Sequence, residues 1–287
     1  MFNLIKMDLY RMVHSVSFKV MMVVVIAVAF FTIGMTSYDV AYTREQLEKG
    51  VVQMEETAAE DDKIVIEMGI SVTSNDSWVD EVPFSELVNE NMKSNLLLLL
   101  CAIFVPLFVH AEYKNGYIKN IAGQLSNRGM LVVSKLVAVA VQILILFVGY
   151  IVWAAVAGMV FFKDTLVTGN FMDLLGGSAL HYLLCLAVGY VVLMLTLVTR
   201  SSALPLTFGV LCSTGFTALL YSGINMVVSV ISGKDTFDIG LYTPEMNVGH
   251  ITFDMTNGTL MRVLIVGCVY AVLAAVIAVR VMKKRDV

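Results

Sequence analysis

Six long apolar segments, separated by polar connections, dominate the pattern of hydrophobic and polar positions along the chain. These segments approach or exceed the about 20 consecutive apolar residues that an α-helix needs to cross the core of a bilayer. The strands of a transmembrane β-barrel would instead alternate in polarity over only about 10 residues. The pattern therefore predicts an all-α integral membrane protein with six transmembrane helices, at residues 18–37, 95–111, 131–162, 178–199, 203–231 and 259–282.

An amphipathic segment precedes the first span. Residues 1–17 carry Ile5, Leu9, Met12 and Val13 at helical spacing among basic residues. This pattern predicts a helix that lies in the membrane interface with its apolar side toward the lipid. The alternative is a plain linker that leads into the first span.

The largest polar insertion, residues 38–93, holds fourteen acidic and four basic residues. Within it, β-branched residues at 63–73 predict a short strand, and residues 84–93 predict a helix. A shorter polar loop follows at residues 232–258. The charge of the large insertion would attract cationic peptides, so it is a candidate for substrate recognition. The simpler interpretation is an extracellular segment that is merely acidic and soluble.

The distribution of Lys and Arg indicates how the chain is oriented. With six spans both termini lie on one side, and placing them inside gives that side twelve of the nineteen Lys and Arg residues but only three acids. Short cytoplasmic loops of membrane proteins are enriched in Lys and Arg. We therefore expect cytoplasmic termini and an extracellular insertion at residues 38–93.

Composition narrows the chemistry further. Only 15% of the residues are charged, against about 25% in soluble domains, and the mean hydropathy is +0.82. The four cysteines fall inside apolar segments without metal-ligand spacing, and the four histidines are scattered, so we expect no metal site. No Walker A sequence, H-E-x-x-H or G-x-S-x-G motif occurs, so we expect no ATP-binding loop and no catalytic residues in this chain.

The interiors of the predicted spans hold almost no ionisable residues. Buried acids and bases mark the proton paths of many secondary transporters, so their scarcity argues against that class. Gln142 in the third span and His181 in the fourth are the main polar exceptions. For Gln142 the simplest role is a hydrogen bond between helices.

The fifth span is the most polar. Thr207, Thr214, Thr217, Tyr221 and Asn225 follow one another at spacings of seven, three, four and four, so in a continuous helix they would share a face. That face could line a translocation path at a subunit interface. It could equally serve close helix packing, with hydroxyl groups bonding across helices.

The polar stretch between the second and third spans, residues 112–130, is basic. Lys114, Lys119 and Arg128 are accompanied by the single acid Glu112, and Lys135 follows shortly afterwards. Glycines interrupt the stretch, and Asn-Arg-Gly at 127–129 is typical of a turn. We expect a short cytoplasmic helix beneath the membrane.

The residues of this stretch also carry a family resemblance. Glu-Tyr-Lys-Asn-Gly-Tyr-Ile-Lys-Asn at 112–120, followed by a turn and by Ser-Lys at 134–135, resembles the ABC-2 type permease family. The nearest likeness is to permeases of bacterial antimicrobial-peptide and lantibiotic export or immunity systems. A basic N-terminus, six spans and a large outer loop after the first span extend the likeness over the whole chain in outline.

The resemblance implies a single transmembrane domain, residues 1–287, in a bacterial plasma membrane. It implies a working unit of two permease chains, identical or related, and two copies of a separate ABC ATPase that holds ATP and Mg²⁺, with no nucleic acid. In that family the loop between spans 2 and 3 is the coupling helix, which docks on the ATPase. The matching residues here are Glu112, Tyr113, Lys114, Tyr117, Ile118, Lys119, Ile121 and Arg128.

Spans 2 and 5 meet across the dimer in that family. This adds Phe104, Pro106 and Phe108 to the candidate translocation path and dimer interface. The expected function is export of an amphipathic substrate, such as an antimicrobial peptide, driven by ATP hydrolysed on the partner. The alternatives are a membrane peptide sensor or scaffold whose extracellular loop binds a ligand, and a secondary transporter.

Overall fold

A computed structural model of the protein describes residues 2–48, 78, 80–114, 128–232 and 237–284. The strand predicted at residues 63–73 lies outside these residues. So does most of the predicted coupling helix, including Tyr117, Ile118, Lys119 and Ile121.

The described part is predominantly helical. Its α-helices are α1 (Phe2–His14), α2 (Val16–Glu48), α3 (Phe84–Met92), α4 (Leu96–Lys114), α5 (Gly129–Phe161), α6 (Phe171–Thr199), α7 (Ala203–Ser213), α8 (Thr217–Ser232), α9 (Pro244–Asn247) and α10 (Asn257–Lys284). Short 3-10 turns occur at Lys163–Thr165, Ile239–Tyr242 and Val248–His250. Strands β1 (Val82–Pro83) and β2 (Leu166–Val167) form one short parallel pair, with Val82 opposite Leu166.

Four of the described helices, α2, α5, α6 and α10, are long and apolar enough to cross a membrane. The number rises to six if the bent pairs α3–α4 and α7–α8 each form one span. This supports the coarser part of the predicted fold, an all-α multi-pass membrane protein. The first span differs from its predicted bounds, because α2 continues well past residue 37 as one helix.

The fifth predicted span is broken. Helices α7 and α8 meet at an angle of 72° across the three residues between them. Gly215, in that gap, has φ of +71°, a left-handed conformation that glycine adopts without steric cost. The amide of Thr214 donates to the carbonyl of Val210 at 3.0 Å and closes the last turn of α7. Helix α7 is therefore only 11 residues long, or about 16 Å at about 1.5 Å per residue, roughly half of the hydrocarbon core.

Helix α6 is the centre of the packing, with contacts to α10, α4, α5 and α7. Glycines let these helices approach closely. A Cβ atom at Gly267 of α10 would lie 2.7 Å from Cγ of Leu183, and one at Gly209 of α7 would lie 2.6 Å from Cβ of Ala102 on α4. The core around them is apolar and includes fully buried Leu184 and Leu193.

Polar side chains inside the bundle are paired between helices. The hydroxyl groups of Thr32 on α2 and Tyr150 on α5 lie 3.0 Å apart. Gln142 Nε2 of α5 lies 3.6 Å from Met21 Sδ of α2, which agrees with the interhelical contact expected for Gln142. Such bonds satisfy polar groups that lipid cannot solvate.

Candidate functional site

The N-terminal helix lies against the start of α5. Helix α1 packs against α5 and α2, with Asp8 and Met12 buried. Ser15 separates α1 from α2, and its hydroxyl accepts a hydrogen bond from the amide of Phe18 at 3.1 Å. Helix α1 thus ends before α2 begins, and its packing places Asp8 beside the first turns of α5.

A cluster of buried charges forms where α1, α4 and α5 meet. Lys135 on α5 donates a hydrogen bond to Glu112 Oε2 near the end of α4. Arg11 Nη1 of α1 lies 3.4 Å from Glu112 Oε1, and Lys135 Nζ lies 4.0 Å from Asp8 Oδ2. The hydroxyl of Ser134 donates to Asp8 Oδ2 at 2.6 Å. We call Asp8, Arg11, Glu112, Ser134 and Lys135 the charge cluster.

The charge cluster is well shielded from solvent. Asp8, Glu112 and Lys135 are each 1% exposed, whereas the Arg11 side chain is 27% exposed. The charge cluster contains two acids and two bases, so its formal net charge is zero. Removing one member of a buried ion pair typically costs about 3–5 kcal/mol, because the other charge is left uncompensated. The cluster therefore fixes the relative positions of three helices.

The cluster brackets the predicted coupling loop. Glu112 precedes the loop and Lys135 follows it, so their ion pair closes the base of residues 115–127. Glu112 was predicted as part of a docking surface, but its carboxylate points into the protein and contacts Lys135 and Arg11. The carboxylate is therefore engaged inside this chain, and the coupling role of Glu112 stays a prediction.

Three of the seven remaining predicted coupling residues lie in the part of the chain that the structure describes. Arg128 is partly exposed in the turn directly before α5. Tyr113 and Lys114 continue the backbone of α4. The other four, named above, lie outside the described residues.

The candidate interface residues of the second span are buried within this one chain. Phe104 and Phe108 are 6% and 5% exposed, and Pro106 is also buried, all within this one chain. They are covered because α4 packs against α6, α7 and α2. Their place in a translocation path or dimer interface stays a prediction.

The prediction that five polar residues share one face of the fifth span is wrong, because the break at Gly215 separates them. Thr207 is on α7, where its hydroxyl donates to the carbonyl of Ala203 at 3.0 Å, and Thr214 lies in the break. Thr217, Tyr221 and Asn225 are on α8.

The polar residues of α8 contact the loop that follows it. Asn225 Nδ2 donates to Asp238 Oδ1 at 2.8 Å, and its side-chain oxygen accepts from the amide of Ile239 at 2.9 Å. The hydroxyl of Tyr221 donates to the carboxylate of Glu245. These contacts hold the loop against the bundle, a role that the sequence pattern did not indicate.

Sequence reasoning missed Asp8, Arg11 and Ser134 as members of the site. The sequence holds one indication of the site: Asp8 is the only acid in residues 1–17, whose other charged residues are basic. Its burial alongside Met12 follows from helical spacing, but its partner 126 residues away could not be read from the pattern. Across the described ranges, no group of three or more His, Cys, Asp and Glu side chains is arranged to hold a metal ion.

Comparison with known proteins identifies a family for the chain. No curated protein matches the chain. A family model described as "Protein of unknown function (DUF2705)" matches residues 63–287, a range that includes Glu112 and Lys135 and ends with the chain. Because that range is well over half of the sequence, the protein belongs to the DUF2705 family.

Proposed function

We propose that the chain is the permease subunit of an ABC-2 type transporter in a bacterial plasma membrane. It would export an amphipathic substrate, such as an antimicrobial peptide, with ATP hydrolysed by a separate ATPase subunit. The sequence support is the Glu-Tyr-Lys-Asn-Gly-Tyr stretch at 112–117 in a basic loop between two spans. The absence of a Walker A sequence from this chain requires the nucleotide to bind elsewhere.

The topology proposed with it has six spans and cytoplasmic termini. Each bent helix pair, α3–α4 and α7–α8, would then count as one span. The excess of Lys and Arg on the side of the termini supports this orientation. The working unit would contain two permease chains and two ATPase chains.

The observation that carries the proposal is the charge cluster at the base of the loop. An ATPase that pushes on a loop does mechanical work on the spans only if the loop is firmly attached to them. The Lys135–Glu112 pair attaches both ends of the loop to each other, and Arg11 and Asp8 attach them to α1. Movement of the loop would thus displace α1, α4 and α5 as one body and bias the bundle between two arrangements.

The loop itself would supply the docking contact. Tyr117, Ile118 and Ile121 would form its apolar centre, with Lys119 and Arg128 at the rim. Apolar and aromatic side chains usually dominate the centre of such interfaces, and charges surround them. The carboxylate of Glu112 is occupied by its ion pair inside the chain. Substitutions at the apolar centre should therefore weaken docking on the ATPase and leave that ion pair intact.

The test is a pull-down of the tagged chain from its native membrane in mild detergent, assayed for ATPase activity. Wild type should retain a stoichiometric ATPase, and the double variant Ile118→Asp/Ile121→Asp should lose it while still inserting in the membrane. Ile118→Val/Ile121→Val is the matched control, because it keeps the apolar contact and should retain the partner. If gentle crosslinking of wild type captures no ATPase, or if the Asp variant binds it normally, the proposal is wrong.

A further inference from the structure

A cavity of about 140 Å³ lies between α6, α7, α8, α9 and α10, away from the charge cluster. Its volume is well above the about 10–15 Å³ that a single water requires. One acid and three aromatic rings contribute to its lining, together with apolar side chains: Glu245, Phe208, Tyr221, Tyr270, Val188 and Val191.

The break in the fifth span builds this cavity. Because α8 leaves α7 at 72°, the loop after α8 can return against α6 and α10 and place the short helix α9 there. Asn247 fixes α9, since its Nδ2 donates to the carbonyl of Thr243 at 2.7 Å and to that of Leu241 at 2.9 Å. Glu245, in the middle of α9, is thereby held toward the cavity.

The charge of Glu245 is poorly compensated. The residue is 6% exposed, and its carboxylate accepts a hydrogen bond from the hydroxyl of Tyr221. Among the residues that the structure describes, the ion pairs do not include Glu245. A buried carboxylate without a cation is costly, and burial accordingly raises the pKa of Glu245. The cavity therefore offers a negative group that a bound cation would stabilise.

The walls select the kind of cation. Phe208, Tyr221 and Tyr270 present aromatic rings, and Val188 and Val191 are apolar. Calcium takes six to eight oxygen ligands and magnesium about six, mainly carboxylates, carbonyls and waters. The side chains that line the cavity supply one carboxylate and the neutral hydroxyl groups of Tyr221, Tyr270 and Thr243, which is too few. An organic ammonium ion is suited to such a site, because it is stabilised by aromatic faces and by a single counter-ion.

We propose that this cavity binds the ammonium group of an organic amine, with Glu245 as counter-ion and the rings of Phe208, Tyr221 and Tyr270 as walls. The amine can be a molecule dissolved in the surrounding water or the headgroup of a lipid. Phe208 is 39% exposed on the surface of the bundle, so the site is within reach of the surrounding membrane. The proposal concerns binding alone and does not depend on the chain being a transporter.

The experiment compares the two sources with the full-length protein in nanodiscs. In the first arm the lipid is phosphatidylglycerol, which carries no amine, and ethanolamine is titrated against sodium chloride at equal ionic strength. A ligand that binds only the folded state raises the melting temperature in a concentration-dependent manner. In the second arm part of the lipid is replaced by phosphatidylethanolamine, which should raise the melting temperature and weaken the response to free ethanolamine if the headgroup occupies the cavity.

Variants assign the effect to the cavity. Glu245→Gln should abolish the ethanolamine-dependent shift, and Glu81→Gln, which removes an exposed acid, should retain it. If Glu245→Gln is not monodisperse, Phe208→Leu removes one ring with little change in volume and should weaken binding severalfold. The proposal would be overturned if the melting temperature of wild type responded to neither source. It would also be overturned if both the Glu245 and Phe208 variants showed a shift as large as that of wild type.

Discussion

Lys135 and Glu112 form a buried ion pair between residues that are 23 positions apart in the chain. The pair joins the start of α5 to the end of α4 at the base of the predicted coupling loop. In water such a pair would contribute little, but here both side chains are 1% exposed and each would be costly alone. The attachment of the loop to the bundle therefore depends on both partners.

Lys135→Met should destabilise the protein by about 3–5 kcal/mol, because it leaves Glu112 and Asp8 with less compensation in a dry environment. Glu112→Gln should also destabilise, and the double variant should lose less than the sum of the two single losses. Denaturant unfolding in detergent micelles measures all three. Lys93→Met is the matched control: Lys93 pairs with Glu90 at a partly exposed position, where the loss should stay below about 1 kcal/mol. Equal losses at Lys135 and Lys93 would contradict the structural role of the charge cluster.

Gly215→Ala should destabilise the chain by about 1–2 kcal/mol, since a side chain at φ of +71° clashes with its own backbone. Gly223→Ala is the control within the same predicted span. No atom lies within 4 Å of a Cβ built there, so the change should be neutral or should stabilise α8 by up to about 1 kcal/mol. Thermal unfolding of the two variants, followed by circular dichroism, separates the effects. If both variants behave alike, the fifth span is a continuous helix and the break is wrong.

Gly209→Ala tests the close approach of α7 to α4. The new methyl group would lie 2.6 Å from Cβ and 3.2 Å from Cα of Ala102, so the helices must separate at a cost of about 1–3 kcal/mol. Gly176→Ala on α6 is the matched control, because open space surrounds its Cβ position. The melting temperature should fall for the first variant and stay level or rise for the second. A rise for Gly209→Ala would show that this helix contact is looser than described.

The sequence predicts the helices of this protein better than it predicts the contacts between residues that are far apart in the chain. The apolar segments predict the helices, because crossing a bilayer imposes a length and a composition that can be counted. The break at Gly215 was not predicted, since a glycine within an apolar segment is also common in continuous membrane helices. The charge cluster was missed for a different reason: Asp8, Glu112 and Lys135 are distant in sequence, and nothing local to Asp8 shows that α1 packs against α5. The sequence also does not distinguish Glu245 from the other acids in loops, because only the packing of α9 against α6 buries it.

The stability of the protein should depend on pH through Glu245. Burial raises the pKa of its carboxyl above the ordinary value of 4.5, although the hydrogen bond from Tyr221 acts in the opposite direction. The folded state therefore holds this proton more tightly than the unfolded state. The stabilising contribution is fully present below pH about 4.5 and is lost as the pH rises through the folded-state pKa.

Glu245→Gln should remove this part of the pH dependence while retaining a hydrogen-bond acceptor for Tyr221. The other titratable groups that line the cavity are Cys212 on α7, Tyr221 on α8 and Tyr270 on α10, whereas α6 contributes Val188 and Val191. Melting temperatures of wild type and variant, measured between about pH 4 and pH 7 without added amine, give the comparison, because Glu titrates in this range. Wild type should lose stability relative to the variant as the pH rises. Parallel curves would mean that Glu245 does not experience the apolar surroundings assigned to it.

A titration of wild type with ethanolamine at the upper end of the pH range should restore the lost stability if an ammonium ion compensates the carboxylate of Glu245.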